Sequence, residues 1–180
     1  ILNLPRLELA PAKTMTQSSA LIKSALRTIE IETKATQALL ARVNEDFVGA
    51  CNLILNTAGR VVVTGMGKSG HIGRKIAATM ASTGTPAHYV HPGEASHGDI
   101  GMITSDDVVI ASSNSGNTAE ITALLPVLKR KGVSLISFTG DKNSVLAKTA
   151  DFNLDASVEE EACPLGLAPT SSTTVALVLG

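Results

Sequence analysis

Two short segments of the 180-residue chain combine glycine, hydroxyl and lysine side chains in a pattern that could bind a phosphate group. The first is Gly65-Met66-Gly67-Lys68-Ser69-Gly70, and the second is Ser112-Ser113-Asn114-Ser115-Gly116-Asn117-Thr118. Glycines permit tight turns, backbone N–H groups and hydroxyls can surround an anion, and a lysine adds a positive charge. These residue types predict recognition of a phosphate monoester.

The first segment fits the pattern GxGxxG but lacks the other parts of a nucleotide site. A dinucleotide-binding fold needs an acidic residue about 20 positions further on, where this chain has His88 to His91. A Walker A loop needs a glycine where this chain has Val62. Two interpretations stay open: an anion-binding turn around Lys68, or a tight strand-to-helix turn with a solvated lysine.

The second segment holds four hydroxyl side chains within seven residues. Helix capping is the alternative explanation, because serine, threonine and asparagine are preferred N-caps. Capping needs only one such residue, so the cluster favours anion binding by Ser113, Ser115 and Thr118.

The elements that must position these segments alternate between short apolar runs and helical periods. Such alternation predicts an α/β fold, a doubly wound five-stranded parallel sheet with helices on both faces and ligands beyond the carboxyl ends of the strands. The predicted strands are Val61–Thr64, Ala87–Val90, Asp107–Ser112, Val133–Phe138 and Phe152–Leu154, and the predicted helices between them cover about 68–82, 118–131 and 144–149.

We predict an N-terminal arm over residues 1–15 and a single domain over residues 16–180. The domain begins with one long helix or two consecutive helices. Apolar residues recur at helical spacing between Leu21 and Phe47. This stripe is too long for a five-stranded sheet to cover, so we expect a homo-oligomer.

Composition excludes several classes of partner. The formal net charge is −1, with 15 basic and 16 acidic residues, which argues against a broad nucleic-acid-binding surface. The apolar runs are far shorter than the ~20 residues of a membrane span. Only Cys51 and Cys163 are present, which suits a reducing cytoplasm better than a disulfide framework.

The two segments, with His91-Pro92-Gly93-Glu94-Ala95-Ser96-His97-Gly98-Asp99 between them, resemble a sugar isomerase (SIS) domain. The further segment Glu161-Ala162-Cys163-Pro164-Leu165-Gly166-Leu167-Ala168-Pro169-Thr170 makes the chain similar to the arabinose 5-phosphate isomerases of Gram-negative bacteria. The resemblance covers about residues 17–180. It implies a flavodoxin-like strand order and a tetramer.

The resemblance also implies a reaction. D-arabinose 5-phosphate and D-ribulose 5-phosphate would be interconverted through an enediol, for Kdo and lipopolysaccharide synthesis, with no required cofactor. Glu161 would be the proton-transfer base, while Lys68 and Glu120 would position the sugar and its developing charge. His91 would carry an inhibitory zinc. The implied substrate-binding residues are Gly67, Ser69, Gly84, Thr85, His97, Ser113, Asn114, Ser115 and Thr118.

Other interpretations remain at this stage. Without the resemblance, Glu120 is a helix-start acid and the run Glu159 to Glu161 is a solvated face. The chain could also be a non-catalytic sugar-phosphate sensor or an isomerase of another sugar phosphate. The family has a further histidine and two CBS domains beyond the position of Gly180, so we expect this chain to bind sugar phosphate but to turn it over slowly.

Overall fold

The computed structural model describes residues 14–180 and shows a five-stranded sheet flanked by helices. The strands are β1 (Val61–Gly65), β2 (Ala87–Tyr89), β3 (Val108–Ser112), β4 (Ser134–Thr139) and β5 (Phe152–Asp155). The helices are α1 (Thr14–Gln37), α2 (Glu45–Asn56), α3 (Gly67–Ser82), α4 (Pro92–Ser96), α5 (Ala119–Thr122), α6 (Leu125–Lys131), α7 (Val145–Thr149) and α8 (Ser171–Leu179). Short 3₁₀ turns cover Ala38–Ala41 and Asp99–Met102. The predicted arm lies, up to residue 13, outside the described residues.

The strand order is β2-β1-β3-β4-β5, and every neighbouring pair is parallel. This arrangement confirms the predicted doubly wound sheet and its strand order. Parallel neighbours require a crossover connection. All five carboxyl ends therefore lie at one edge of the sheet, which we call the carboxyl edge.

The sheet buries apolar side chains on both faces, as alternating side-chain direction along β1 shows. Val61 and Val63 belong to one core cluster, which includes residues of α2, α3 and α8. Val62 belongs to a second cluster, which includes residues of α4, α5, α6 and α7. β1 and β3 are buried along their whole length, as expected for strands covered on both sides.

The N-terminal region forms two helices, α1 and α2, joined by the 3₁₀ turn. Asn44 begins α2, because its side chain accepts a hydrogen bond from Asp46 N at 3.0 Å. Much of the apolar stripe on α1 is uncovered in the single chain. The exposed apolar residues of α1 are Leu21, Ile22, Leu26 and Ile29, which are 53–66% exposed.

None of the helices within residues 14–180 combines the length and the apolar content needed to cross a membrane.

Two local predictions need correction. The single helix expected over about 118–131 is interrupted between Thr122 and Leu125, giving α5 and α6. Pro126 has no N–H to donate to the carbonyl group of Thr122, so the helical hydrogen-bond series breaks there. The segment between His91 and His97, expected as a loop, contains the short helix α4.

A buried carboxylate joins the starts of β1 and β3 at the amino edge of the sheet. Asp107 accepts hydrogen bonds from Arg60 N at 2.8 Å, Thr104 N at 2.7 Å and Thr104 Oγ1 at 3.1 Å. Burial alone raises the pKa of Asp107, but the hydrogen bonds from Thr104 and Arg60 outweigh burial and leave the pKa below its ordinary value. The ionised carboxylate therefore stabilises the fold.

We expect Asp107→Asn to lower the free energy of unfolding by about 1–3 kcal/mol at pH 7, because the amide cannot accept from all three donors. The folded-state pKa lies below the unfolded one, so the carboxylate's contribution is present above about pH 4 and is lost as the pH falls through the folded value. Urea denaturation at pH 7 and pH 3 should show the difference from the unmodified protein shrinking at pH 3. The exposed neighbour Asp106 provides the control Asp106→Asn. An equal effect in both variants would contradict the prediction.

Candidate functional site

The register of β1 and β3 brings the two glycine-containing segments together. Gly65 at the end of β1 pairs with Ser112 at the end of β3. The loops that follow these residues therefore leave the carboxyl edge side by side. We call residues 112–118 the hydroxyl loop and residues 65–70 the glycine turn.

The hydroxyl loop has an internal pair of side chains. Ser113 is 4% exposed, and its Oγ lies 2.8 Å from Thr118 Oγ1. Gly116 N donates to Ser113 Oγ at 3.1 Å. The side chains of Asn114 and Ser115 are exposed. The loop thus has a hydrogen-bonded hydroxyl pair, in which Ser113 is buried and Thr118 is half-buried, and two exposed polar side chains.

Backbone N–H groups of the loop after β4 and of the first turn of α7 hold the hydroxyl loop in place. Gly140 N donates to Asn114 O at 2.9 Å, and Leu146 N donates to Gly116 O at 3.0 Å. Val145 N donates to the side-chain oxygen of Asn117 at 3.0 Å. Gly116 has a φ of 62°, and a Cβ there would overlap the side chain of Ser144. Only glycine fits this position without strain.

The glycine turn leaves its cation free. Lys68 is exposed and forms no salt bridge with any residue in 14–180, and Ser69 is half-buried. Gly67 has a φ of 53° and faces open space. A Cβ on Gly70 would lie 2.6 Å from both Gly65 O and the hydroxyl oxygen of Tyr89, so the first turn of α3 can lie this close to β1 only with glycine.

His91 and His97 lie at the two ends of α4, which packs against α5. His97 is exposed at the helix end, and His91 is half-buried at the helix start. Nδ1 of His91 accepts a hydrogen bond from Gly93 N at 3.1 Å.

The described residues do not fit the zinc that the resemblance implies at His91. Within residues 14–180, no group of three or more His, Cys, Asp or Glu side chains could hold a metal ion. His91 offers one imidazole, and its Nδ1 is already used by Gly93. A zinc ion needs three or four protein ligands.

The two carboxylates proposed for catalysis have different surroundings. Glu120 is exposed in the first turn of α5. Glu161 is half-buried, and its Oε2 accepts from Thr170 N at 2.7 Å, Thr170 Oγ1 at 3.0 Å and Ser172 N at 3.3 Å. Burial raises the pKa of Glu161, but the hydrogen bonds from Ser172 and Thr170 outweigh burial and lower the pKa overall. Glu161 therefore caps the start of α8 in its ionised form.

Gly84 and Thr85 do not lie with the other predicted substrate-binding residues in one chain. They follow α3, which begins at the carboxyl edge and spans 16 residues, or about 24 Å. Both therefore precede β2 at the amino edge of the sheet. A single chain therefore does not bring them to the hydroxyl loop, and their role in substrate binding stays a prediction.

Comparison with known proteins gives the family. The family model described as SIS domain matches residues 54–180. The chain belongs to the SIS domain family. Arabinose 5-phosphate isomerase KdsD of Pseudomonas aeruginosa is 67% identical over 166 residues, which cover 92% of this chain and 51% of that protein. KdsD of Escherichia coli K12 is 59% identical over 152 residues, 84% of this chain and 46% of that protein. The chain thus spans about half the length of the curated relatives it matches.

One solved structure is similar to this SIS domain in both sequence and fold. E. coli CFT073 c3406 in complex with A5P is 47% identical, with a TM-score of 0.84 and coverage of 92% of this chain and 87% of that chain. The region that the SIS family model matches, residues 54–180, includes the hydroxyl loop and the glycine turn.

Sequence reasoning missed the groups that hold the SIS domain's loops in place. Gly140 directly follows β4, and Gly65 is the last residue of β1, so both glycines lie at the carboxyl edge. A glycine at the end of a predicted strand was the available signal that Gly140 contacts the hydroxyl loop. The bonds from Thr170 and Ser172 to Glu161 were also missed. Threonine and serine before an apolar run mark a helix start, but they do not reveal that a distant glutamate accepts their hydrogen bonds.

We expect Ser113→Ala to weaken phosphate binding about tenfold, because one hydrogen bond to a charged group is worth about 1.5 kcal/mol or more. Titration of the protein with inorganic phosphate, followed by NMR of backbone amides, measures affinity and location together. The exposed Ser82, at the end of α3, gives the control Ser82→Ala. Phosphate-induced shifts confined to residues 65–70 would show that the hydroxyl loop is not the phosphate site.

Proposed function

We propose that this chain is the SIS domain of an aldose-ketose isomerase that interconverts D-arabinose 5-phosphate and D-ribulose 5-phosphate. The observation that carries the proposal is the placement of the hydroxyl loop beside the free Lys68 at one sheet edge. The 67% identity to a KdsD protein supports the choice of substrate. By the same resemblance, the D-arabinose 5-phosphate formed would enter Kdo and lipopolysaccharide synthesis.

In the proposed complex the phosphate group binds to Ser113, Ser115 and Thr118. These residues supply hydroxyl donors on a loop that its backbone holds in place, and Asn114 adds an exposed amide. Gly67, Ser69 and His97 would contact the sugar from neighbouring loops at the same edge. A fixed set of donors suits a dianionic ligand, because it need not be reorganised on binding.

The proton step requires a base beside C1 and C2 and a positive group near the developing enediolate. We assign the base to Glu161, which would take the C2 proton of the open-chain aldose and return it to C1. Its lowered pKa keeps it ionised at neutral pH, the form in which a base must begin. Lys68 and Glu120 would position the sugar hydroxyls, with the Lys68 ammonium stabilising the enediolate oxygen.

This chemistry uses only side chains, so we propose that the reaction needs no cofactor. Inhibition by zinc stays a prediction, and it would require ligands besides those of the described residues. The free thiols Cys51 and Cys163 suit the reducing conditions of the cytoplasm, which we propose as the location.

A non-catalytic sugar-phosphate sensor is the second candidate. Its support is the role of Glu161 as a hydrogen-bonded cap of α8, a role that requires no chemistry. Turnover distinguishes the two candidates, since a sensor would bind the sugar phosphate without converting it. An isomerase of another sugar phosphate would share all of these loops, and substrate profiling would identify it.

We further propose that the chain forms a homo-oligomer, a tetramer by resemblance. The uncovered apolar side chains of α1 support association, because exposed apolar patches commonly mark protein contacts. Association would also explain Gly84 and Thr85, because a second copy could bring these amino-edge residues to a neighbour's carboxyl edge.

Replacing Glu161 by glutamine tests its assignment as the base. We expect kcat to fall about 10²–10⁴-fold, the usual contribution of a general base, with little change in sugar-phosphate affinity. The amide oxygen can still accept from Thr170 N, so the start of α8 should be retained. The exposed Glu30 on α1 provides the control Glu30→Gln. An unchanged kcat would leave Glu161 as a helix cap only.

Sedimentation equilibrium tests the oligomer. We expect the 18.5 kDa chain to sediment as a multiple of its mass at micromolar concentration. The double variant Leu26→Glu and Ile29→Glu should shift it toward the monomer, because it places charge on the uncovered apolar face of α1. A monomeric unmodified protein at these concentrations would refute the proposal.

A further inference from the structure

The segment that leads from β5 to Glu161 lies along α1 and is bound there by charged groups. Arg27 pairs with Glu160 at 3.0 Å, and Lys34 forms a short ion pair with Glu159. The acidic run is therefore not a uniform solvated face. Two of its members contact α1, while the third, Glu161, contacts α8.

Arg42, just beyond the 3₁₀ turn, is the best-placed member of this group. Its Nη1 donates to Ser157 O at 2.5 Å, and its Nε lies 3.6 Å from Asp155 Oδ2. The Arg42 side chain is only 22% exposed, whereas those of Lys34 and Glu159 are 72% and 74% exposed. Exposed pairs contribute little by themselves, so Arg42 should dominate. We call Arg27, Lys34 and Arg42 the basic triplet.

Helix α1 also contacts α8, the helix whose start is bound by Glu161. Glu32 accepts a hydrogen bond from Thr174 Oγ1 of α8 at 2.6 Å, and α1 packs along α8. Glu161 thus lies between a segment bound to α1 and a helix bound to α1. Both attachments come from residues outside the 54–180 region that the SIS family model matches.

We infer that the basic triplet, and Arg42 above all, positions Glu161 for the proton step by fixing the chain between β5 and α8 against α1 and the 3₁₀ turn that follows it. The inference rests on the proposed function, because it assigns Arg42 a role through Glu161. Arg42 is a positioning residue with no contact to the sugar. It acts by limiting the arrangements that residues 156–161 can adopt.

The test compares the unmodified protein with Arg42→Ala, Arg42→Lys and the control Arg130→Ala, which removes an exposed arginine of α6. Hydrogen–deuterium exchange of residues 156–162 reports on the attachment. Steady-state kinetics with arabinose 5-phosphate and equilibrium binding of the same sugar phosphate separate kcat from affinity. Circular dichroism melting identifies any variant that fails to fold.

We expect Arg42→Ala to speed exchange in residues 156–162 and to lower kcat about 10- to 100-fold, since a misplaced catalytic group costs rate steeply. Affinity should change by no more than about twofold, because the hydroxyl loop is untouched. Arg42→Lys should recover most of kcat, because it keeps a cation near Asp155. The control should match the unmodified protein.

Two results would overturn the inference. Unchanged exchange in Arg42→Ala would show that Arg42 does not fix the segment. Faster exchange with unchanged kcat would show that the attachment has no catalytic consequence. If Arg42→Ala does not melt cooperatively, the same measurements are made on the double variant Arg27→Ala and Lys34→Ala, for which we expect smaller changes. No turnover by the unmodified protein would refute the proposed function itself, and this outcome is recognised without any variant.

Discussion

The pairing of β1 with β3 is the constraint on which the candidate site depends. Because Gly65 and Ser112 are opposite each other in a parallel register, the glycine turn and the hydroxyl loop must begin at adjacent points. A shift of one residue would exchange the β1 side chains between the two core clusters, so that Val62 would face the cluster that Val61 and Val63 now pack into. The same apolar packing that stabilises the sheet therefore aligns a free lysine with a cluster of hydroxyls.

Glu161 joins stability and chemistry in one side chain. As an acceptor for the backbone of Thr170 and Ser172 it starts α8, and as an ionised carboxylate it is a candidate base. The hydrogen bonds that keep it ionised also weaken it as a base, because they stabilise the charged form. A proton transfer by Glu161 must therefore be accompanied by weaker bonding to the start of α8.

The fold could be predicted from the sequence because its main signals are local. The apolar runs of β1 and β3 and the glycine at position 132 are visible in short windows, and the structure has both strands within one residue of their predicted bounds. The break before α6 was equally local, since Pro126 marks it. The partners of Glu159 and Glu160 were not predictable, because they are 125 and 133 residues away and no nearby pattern selects Lys34 or Arg27. The location of Gly84 and Thr85 could have been predicted from topology, since residues that connect a crossover helix to the next parallel strand must lie at the amino edge.

The attachment of the hydroxyl loop has a consequence for how this site can change during evolution. The bonds that hold the loop to the β4–α7 connection mostly involve backbone atoms of Asn114, Gly116, Gly140 and Leu146. The exposed side chains at positions 114 and 115 contribute little to that attachment. Substitutions at these two positions can change the polar groups that the loop presents to a ligand while the loop keeps its shape. The backbone scaffold and the exposed side chains of the loop can therefore diverge independently among descendants of one ancestor.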